Sequence, residues 1–310
     1  MKKPIKTFIN YFIERYYSLK PIGAIQENIR GENLFFITGY DKSGTTWMKN
    51  TINEIDKFSC IGSNQYFDFY TGLPENKIIK AIHEAKERES LLNISANHFK
   101  SYFTSIYLSR IKGSSNKHSV NYGEKSTEQD LGLINFFFPE AKSIIMIRDL
   151  RDIIVSFAFH FDRRYRNREN NWSSKRSKFN SDGTIKDSFI DREINKLKKY
   201  YLHLIEYENK KNGLCHFVKY EELISSKGFN HFYEMLKFIN PSDADSQKAK
   251  VAWNNNTFEK MSKGRKPGEK DEASFFRSGT AKDYVNHLTK EQIELIEKQL
   301  EVPLQHFNYL

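Results

Sequence analysis

A short run of glycine, lysine, serine and threonine follows the apolar residues 34–38 and has the composition of an anion-binding loop. It reads Gly39-Tyr-Asp-Lys42-Ser43-Gly44-Thr45-Thr46-Trp47. A strand that enters a glycine turn and then a helix directs the free backbone N–H groups of the first helical turn at whatever lies above them. The spacing Gly39-x4-Gly44 is that of a phosphate-binding loop. The segment therefore predicts a phosphate site.

This loop differs in one respect from the loops that bind nucleoside triphosphates. Those loops place a lysine and then a serine or threonine directly after the second glycine. Here Thr45 and Thr46 occupy these positions, and the lysine lies inside the loop as Lys42. The loop is therefore predicted to hold a phosphate without the lysine and magnesium arrangement of a triphosphate site.

A second candidate anion site follows another apolar run. Residues 144–147 are typical of a strand buried on both faces of a parallel sheet, and Arg148 comes directly after them. Ser156 lies eight residues further, in the next predicted helix. An arginine at the carboxyl end of a strand binds phosphate oxygens well, although Arg148 could equally pair with Asp149 or Asp152. Two anion sites at neighbouring strand ends suit a nucleotide that is phosphorylated at both ends.

These segments resemble the sulfotransferases that use 3′-phosphoadenosine 5′-phosphosulfate (PAPS) as sulfate donor. The family's 5′-phosphosulfate loop is close to Tyr-Pro-Lys-Ser-Gly-Thr-Thr-Trp, and this chain has Tyr-Asp-Lys-Ser-Gly-Thr-Thr-Trp from Tyr40 to Trp47. The family's 3′-phosphate motif is a strand, an arginine, a serine eight residues later and a nearby His-Phe pair. Arg148, Ser156 and His160 match that motif.

Three further segments resemble the family in the same order along the chain. A Tyr-Glu-Asp segment whose tyrosine approaches the adenine corresponds to Tyr220 and its neighbours. A segment whose phenylalanine adds an adenine contact corresponds to Phe258. Arg277 and Gly279 match the family's Arg-Lys-Gly loop, in which Ser278 replaces the lysine. The resemblance extends from residue 34 to about residue 289 and so covers most of the chain.

The resemblance implies an enzyme that moves a sulfuryl group from PAPS to a hydroxyl or amine and releases adenosine 3′,5′-bisphosphate (PAP), with no metal required. Lys42 and the following backbone N–H groups would hold the 5′-phosphate, and Lys42 would also stabilise the leaving group. Arg148 and Ser156 would hold the 3′-phosphate, and Trp47 either stacks on the adenine or belongs to the core. The expected donor-binding residues are Lys42, Ser43, Gly44, Thr45, Thr46, Trp47, Arg148, Ser156, Tyr220, Phe258, Arg277, Ser278 and Gly279.

The general base stays open at this point. Cytosolic relatives place Lys-Thr-His shortly before the 3′-phosphate arginine, whereas this chain has Lys125-Ser126-Thr127 there. The form Glu124-Lys125-Ser126 is similar to that of carbohydrate and bacterial branches, in which a glutamate often serves as the base. The expected catalytic residues are Lys42, Lys125 on the sulfate and His98 as the favoured base, with Asp68, Glu124 and Glu128 as alternatives.

Alternating strands and helices indicate an α/β fold, here a P-loop-like core with a central parallel sheet flanked by helices on both faces. The 310 residues are predicted to form a single domain over 1–310. It has an amphipathic helical extension over 1–30 and a basic loop or lid over 162–190. Predicted strands cover 34–38, 120–122, 143–147 and 214–219, and predicted helices cover 46–55, 131–138, 150–160 and 229–239.

Composition limits the classes of partner. The net charge of +10 favours acidic partners. Cys60 and Cys215 are the two cysteines, too few for a disulfide framework, so a reduced cytoplasmic location is expected. No apolar run reaches the roughly 18 residues of a transmembrane helix, and no transmembrane segment is expected. The expected partner is a small-molecule acceptor, such as a specialised metabolite, and not a nucleic acid. The oligomeric state is open.

Two other functions fit parts of the sequence. A P-loop kinase would have its lysine at position 45 and a magnesium-binding aspartate directly after the strand that here precedes Arg148. A basic RNA-binding protein would explain the net charge and the basic stretch at 162–180. It lacks support because no recognition module with interleaved aromatic residues is visible.

Overall fold

The computed structural model describes residues 33–62, 104–105, 107–115, 118–126, 131–168, 177–211 and 213–310, with side chains left out for 165–168. Within them, one five-stranded sheet contains β1 (Leu34–Thr38), β2 (Phe58–Ile61), β3 (Asn121–Lys125), β4 (Lys142–Ile147) and β5 (Cys215–Lys219). The strand order is β2-β3-β1-β4-β5, and each neighbouring pair is parallel. The predicted parallel α/β fold is confirmed.

Helices connect and cover these strands. They are α1 (Thr45–Ile52), α2 (Leu131–Phe137), α3 (Leu150–Arg168), α4 (Asp187–Lys211), α5 (Tyr220–Leu223), α6 (Gly228–Ile239), α7 (Ser246–Asn255), α8 (Phe258–Met261), α9 (Lys290–Gln299) and α10 (Glu301–His306), with a 3₁₀ helix at Asp283–Asn286. In the described residues, no helix is both long and apolar enough to cross a bilayer.

The sheet is buried on both faces because its central strands are apolar at successive positions. In β1, Phe35 and Ile37 pack in a core with α1 and α6, whereas Leu34 and Phe36 pack in a second core with α2. Successive side chains of a strand point to opposite faces, so an uninterrupted apolar run needs cover on each side. This arrangement also sets the position of the functional site. The carboxyl ends of β1 and β4 are neighbours. The chain continues from β1 into α1 and from β4 into α3. Ligands of open α/β sheets bind at the carboxyl ends of such neighbouring strands.

The structure differs from the predicted elements in several places. Strand β2 and the short helices α5, α7, α8 and α10 were not predicted, since none has a distinct local pattern. Helix α4, 25 residues long, was also missed, and its first turn lies within the predicted basic loop over 162–190. Helix α3 continues to Arg168, so the predicted basic loop begins with helix and includes Arg163 and Arg164 in that helix. Arginine is among the better helix-forming residues, and a run of basic residues therefore does not end a helix. The N-terminal extension over 1–30 lies outside the described residues.

Candidate active site

The loop between β1 and α1 has two residues in the left-handed backbone region. Lys42 has a φ of 76° and Gly44 a φ of 98°. Ser43 between them is fully buried, and its N–H and its hydroxyl both donate to the carbonyl of Tyr40, at 3.1 and 2.6 Å. A non-glycine residue in this region costs energy and is typical of ligand-binding loops. Ser43 therefore stabilises the turn through hydrogen bonds inside the loop, and Lys42 is the neighbouring residue whose side chain is available to a ligand.

Helix α1 begins directly after this loop with Gly44 as its N-cap. The N–H of Met48 donates to the Gly44 carbonyl at 3.2 Å, so the N–H groups of residues 45–47 precede the first intrahelical hydrogen bond. These donors, together with the positive end of the helix dipole, favour an anion at this position.

A cavity of about 270 Å³ lies against this loop. The sequence-predicted residues on its wall are Lys42, Gly44, Thr45, Thr46, Trp47, Lys125, Arg148, Ser156, Tyr220, Phe258, Arg277, Ser278 and Gly279. Ser43 lies beneath the wall, and His98 lies outside the described residues. The cavity is also lined by Asp41, His160, Ile224, Met261, Phe275 and Phe276, which the sequence analysis did not assign to the site. Phe275 and Phe276 could have been predicted from the sequence, because they directly precede Arg277 in the segment that resembles the family's Arg-Lys-Gly loop.

Arg148, at the end of β4, contacts the loop that follows β1. Its guanidinium donates to the carbonyls of Lys42 at 3.2 Å and Thr280 at 3.3 Å, and lies 4.4 Å from the centre of the Tyr220 ring. The pairing with Asp152 that the sequence left open is present at 3.6 Å. However, Nε of Arg148 is buried and has no hydrogen-bond partner among the described residues. A guanidinium has five N–H donors, so Arg148 keeps capacity to bind an anion.

The segment between α8 and the 3₁₀ helix carries Arg277 into the cavity wall. Arg265 organises this segment by donating to the carbonyls of Arg277, at 3.0 Å, and Phe276. Arg277 itself forms an ion pair with Asp283. Its other terminal nitrogen is buried and, among the residues described, has no hydrogen-bond partner. Buried donors without a partner are costly, and an anion in the cavity would satisfy them.

Aromatic side chains form another part of the wall. The indole N–H of Trp47 donates to the carbonyl of Asn256 at 2.8 Å, and its ring lies edge-on to Tyr220 with the ring centres 6.2 Å apart. Phe258 begins α8 and packs directly against Gly279. Flat aromatic side chains beside cationic groups are the usual surroundings of a nucleotide base. The wall therefore fits an adenine next to the two anion sites.

Positive charge accumulates around Lys42. Burial lowers the pKa of its amine to about 8, and the guanidinium charges of Arg163, Arg148 and Arg277 act in the same direction. The carboxylate of Asp41 opposes them. Crowded cations are stabilised when a multiply charged anion binds among them. The charges and the unpaired donors of this cavity therefore fit a nucleotide with phosphates at both ends.

Glu124 and Lys125, the last two residues of β3, lie differently relative to the cavity. Lys125 lines the cavity. Glu124 lies one residue earlier, on the other face of the strand, where it is 2% exposed and accepts a hydrogen bond from the hydroxyl of Tyr107. The other candidate bases, Asp68, His98 and Glu128, lie outside the described residues.

His160 is a cavity residue that the sequence analysis placed only within a motif. Its Nδ1 lies 3.1 Å from a guanidinium nitrogen of Arg163, and its ring is edge-on to Phe275. Burial lowers the pKa of the imidazole to about 4, and the nearby charges of Lys42 and Arg163 contribute in the same direction. His160 is therefore a neutral group near physiological pH.

Comparison with known proteins supports the same class. The sequence model of the sulfotransferase domain matches residues 32–307. The structure is similar to mouse sulfotransferase SULT7A1 complexed with PAP, at 17% identity and a TM-score of 0.53, over 91% of this chain and 88% of that chain. It is also similar to retinol dehydratase in complex with androsterone and PAP (15% identity, TM-score 0.50, 91% and 84% covered). A third similar structure is sulfotransferase STF9 from Mycobacterium avium (9% identity, TM-score 0.50, 96% and 81% covered).

The fold, the cavity and the match over nearly the whole chain define the class: the protein belongs to the sulfotransferase domain family. The family predicted from the five sequence segments is thereby confirmed, and the kinase and RNA-binding alternatives lose their support. No curated protein matches the sequence.

Proposed function

We propose that this sulfotransferase takes its sulfuryl group from PAPS and transfers it to a hydroxyl or amine of a small-molecule acceptor, releasing PAP. The observation that carries the proposal is that Lys42, after β1, and Arg148, after β4, line one cavity together. The likeness to proteins crystallised with PAP supports this donor. A donor with phosphate at both ends would use both anion sites at once.

Different residues of the cavity wall bind different parts of the donor. Lys42 and the N–H groups of residues 45–47 hold the 5′-phosphate end, and Arg148, Ser156 and Arg277 hold the 3′-phosphate. Trp47, Tyr220 and Phe258 surround the adenine, while Ser278 and Gly279 close the 3′ side. Ser43 acts indirectly, because its polar groups bond within the loop.

The bound donor supplies the sulfuryl group, and the chain's own residues supply position and charge. In sulfuryl transfer, as in phosphoryl transfer, negative charge develops on the bridging oxygen that leaves. In this proposal the Lys42 amine stabilises that charge and Lys125 contacts the sulfate, and both residues line the cavity. In the balanced reaction the acceptor oxygen or nitrogen bonds to sulfur, the bond between sulfur and the 5′-phosphate oxygen breaks, and the acceptor loses one proton.

We infer that Glu124 takes that proton. It is buried at the carboxyl end of β3, next to Lys125, and the Tyr107 hydroxyl orients its carboxylate. A base within reach of the acceptor is required by the reaction. Glu124 does not line the donor cavity, so this role requires the acceptor to reach the carboxylate from the face of the sheet that carries Tyr107. His98, favoured from the sequence, remains the alternative.

A small acceptor is the second part of the proposal. The androsterone bound to retinol dehydratase is a small molecule, which supports an acceptor of that size for the similar fold here. A cytoplasmic location, a single domain over 1–310 and independence of metal ions stay predictions. In the part of the chain that the structure describes, no cluster of histidine, cysteine, aspartate or glutamate has the arrangement of a metal site.

Calorimetry with two matched nucleotides tests the donor. PAP and adenosine 5′-monophosphate differ only in the 3′-phosphate, whose charge-assisted hydrogen bonds are worth about 1.5–3 kcal/mol. PAP should therefore bind about 10–100 times more tightly. Absence of PAP binding, or equal affinity for the two nucleotides, would rule out the proposed donor site. Incubation with PAPS and a panel of hydroxyl and amine compounds, followed by mass spectrometry, then identifies acceptors by their gain of a sulfuryl group.

A further inference from the structure

His160 and Phe275 line the cavity without a part in the proposed donor binding, and Arg163 contacts both of them. We call Phe275, His160 and Arg163 the entrance cluster. Phe275 is 47% exposed, and its ring centre lies 4.4 Å from the Lys42 amine and 5.6 Å from the guanidinium carbon of Arg163. The ring of His160 lies edge-on to the same phenylalanine, with the ring centres 6.5 Å apart. One exposed aromatic ring thus contacts both the proposed catalytic lysine and a second cation.

Arg163 has no opposing charge in direct contact. Its contacts are Nδ1 of His160 and the ring of Phe275, and no carboxylate among the described residues forms a salt bridge with it. In the proposed function Arg148 and Arg277 bind the 3′-phosphate of the donor. Burial and the charge of Arg164 lower the pKa of Arg163 and outweigh the charge of Asp271, which acts on it without a salt bridge. Arg163 is therefore a cation near Lys42 that has no ion-pair partner among the described residues and that the donor's 3′-phosphate is not proposed to neutralise.

The tautomer of His160 follows from its neighbour. A guanidinium only donates hydrogen bonds, so Nδ1 of His160 is the acceptor and Nε2 carries the proton. The surrounding cations and burial keep the imidazole neutral, with its pKa lowered to about 4. The entrance cluster thus offers N–H donors and an aromatic face. A molecule that binds there needs a hydrogen-bond acceptor and gains from a negative charge.

Positive charge continues from this cluster along α3 and α4. Arg164 follows Arg163 and is exposed. The guanidinium of Arg192 lies 5.6 Å from the ring centre of Phe161, next to His160 in the chain. Burial lowers the pKa of Lys178, and the charges of Arg192 and Lys186 add to this effect. Glu193 pairs with Arg192 at 2.9 Å, whereas Arg163 and Arg164 have no carboxylate in salt-bridge contact among the described residues. An excess of positive charge beside a cavity attracts ligands of the opposite sign.

We propose that the acceptor is an aromatic hydroxyl compound that carries an acidic group, with its ring on Phe275 and its acidic group bound by Arg163. The inference rests on the proposed function and defines its substrate class. The acceptor's hydroxyl lies beside Lys42, and bond formation and proton transfer proceed as given above. Arg163 acts in selection of the acceptor and affects the donor only through the charge of Lys42.

Three phenols that differ mainly in side-chain charge test this selection. They are 3-(4-hydroxyphenyl)propionate, 4-ethylphenol and tyramine, which are anionic, neutral and cationic near neutral pH. We expect kcat/KM with PAPS to be highest for the propionate, by about tenfold over 4-ethylphenol, which corresponds to about 1.4 kcal/mol, and lowest for tyramine. Arg163→Gln should abolish the preference for the anion and, at a pH below the Lys42 pKa of about 8, leave the Kd for PAP close to that of the wild type. Arg164→Gln, the exposed neighbour, is the matched control and should keep the preference.

Each other outcome overturns the inference. Equal or reversed preference among the phenols, or a preference that survives in Arg163→Gln, would show that Arg163 does not select the acceptor. A large loss of PAP affinity in Arg163→Gln would assign the residue to the donor site instead. Turnover of none of the three phenols by protein that binds PAP would exclude the aromatic class. Failure of the wild type to bind PAP is a different result, and it would contradict the proposed function itself.

Discussion

The α-carbon of Gly279 lies directly against the ring of Phe258. A Cβ at position 279 would come within 2.4 Å of the Cδ2 atom of that ring, closer than real Cβ atoms approach a neighbour. Gly279 also has a φ of 68°, in the region that favours glycine. The loop that carries Arg277 can therefore approach the proposed adenine contact only because residue 279 has no side chain.

This contact predicts a binding defect in Gly279→Ala. The new methyl displaces Phe258, and base–aromatic stacking is worth about 1–3 kcal/mol, so the Kd for PAP should rise about tenfold or more. Gly268→Ala is the matched control, because Gly268 has a φ of 96° but open space around its α-carbon. It should lose about 1–2 kcal/mol of stability and keep its PAP affinity. Equal Kd values for both variants in calorimetry would contradict this prediction.

Replacement of Lys42 should affect the rate more than the affinity. In Lys42→Ala the charge that develops on the leaving oxygen loses its cation, and kcat should fall by about 10²–10³. Single-turnover measurements with an accepted phenol, beside calorimetry with PAP, separate the two effects. Lys290→Ala is the control, since Lys290 is 86% exposed at the start of α9. Normal turnover by Lys42→Ala would remove the proposed role.

The ionisation of Lys42 predicts how PAP affinity depends on pH. In the free protein the pKa of this amine is about 8, and a phosphate bound beside it raises that pKa because opposite charges favour the ionised form. The complex therefore binds more protons than the free protein above about pH 8, and affinity falls as pH rises through that value. Calorimetric Kd values across neutral and alkaline pH give the profile.

Two variants check the origin of this profile. Arg163 contributes to the low pKa of Lys42, so Arg163→Gln should move the fall in affinity to higher pH. Lys42→Arg should show no fall in this range, because a guanidinium does not lose its proton there. A wild-type Kd that is constant through pH 8 to 9 would mean that Lys42 keeps its usual pKa.

Arg265 is predicted to position the segment that contributes Arg277. Its guanidinium donates to the carbonyls of Glu269, Phe276 and Arg277, and a lysine has no fork with which to bridge them. Arg265→Lys should therefore raise the Kd for PAP and lower the free energy of unfolding by about 1–3 kcal/mol. Lys266→Ala, at the exposed neighbouring position, is the control. Destabilisation without any change in Kd would limit Arg265 to a structural role.

Glu124→Gln tests the proposed base. The amide keeps the shape of the side chain but accepts no proton, so kcat should fall by about 10²–10⁴ while the Kd for PAP stays unchanged. Tyr107→Phe removes the hydrogen bond to Glu124 and should cause a smaller loss. His98→Ala is the comparison that decides between the two candidates. A large loss of kcat in that variant, with normal turnover by Glu124→Gln, would assign the base to His98.

Much of the fold was predictable because its signals are local. The apolar run before Gly39 and the run before Arg148 each predict a buried strand, and the structure confirms both within one residue at each end. The start of α9 has a capping box of Thr289 and Gln292, which is also a signal of short, fixed spacing. Strand β2 was missed because its four residues, which pair with β3 in the described part of the chain, carry little local pattern. Its structure depends on a partner that lies sixty residues away in the chain.

The sequence by itself determined the phosphate loop, the strand-arginine-serine motif and the family, because these depend on residue types at short, fixed spacings. Tertiary structure decided that Ser43 lies beneath the cavity wall, that Arg163 belongs to a helix and contacts Phe275, and that Arg265 holds the segment of Arg277. It also decided the charge environment of Lys42, since that pKa depends on the burial of the amine and on cations brought together from separate elements. The contacts of Lys42 with Arg148 and of Arg163 with Phe275 join residues more than a hundred positions apart, and only the packing of the sheet and its helices sets their distances.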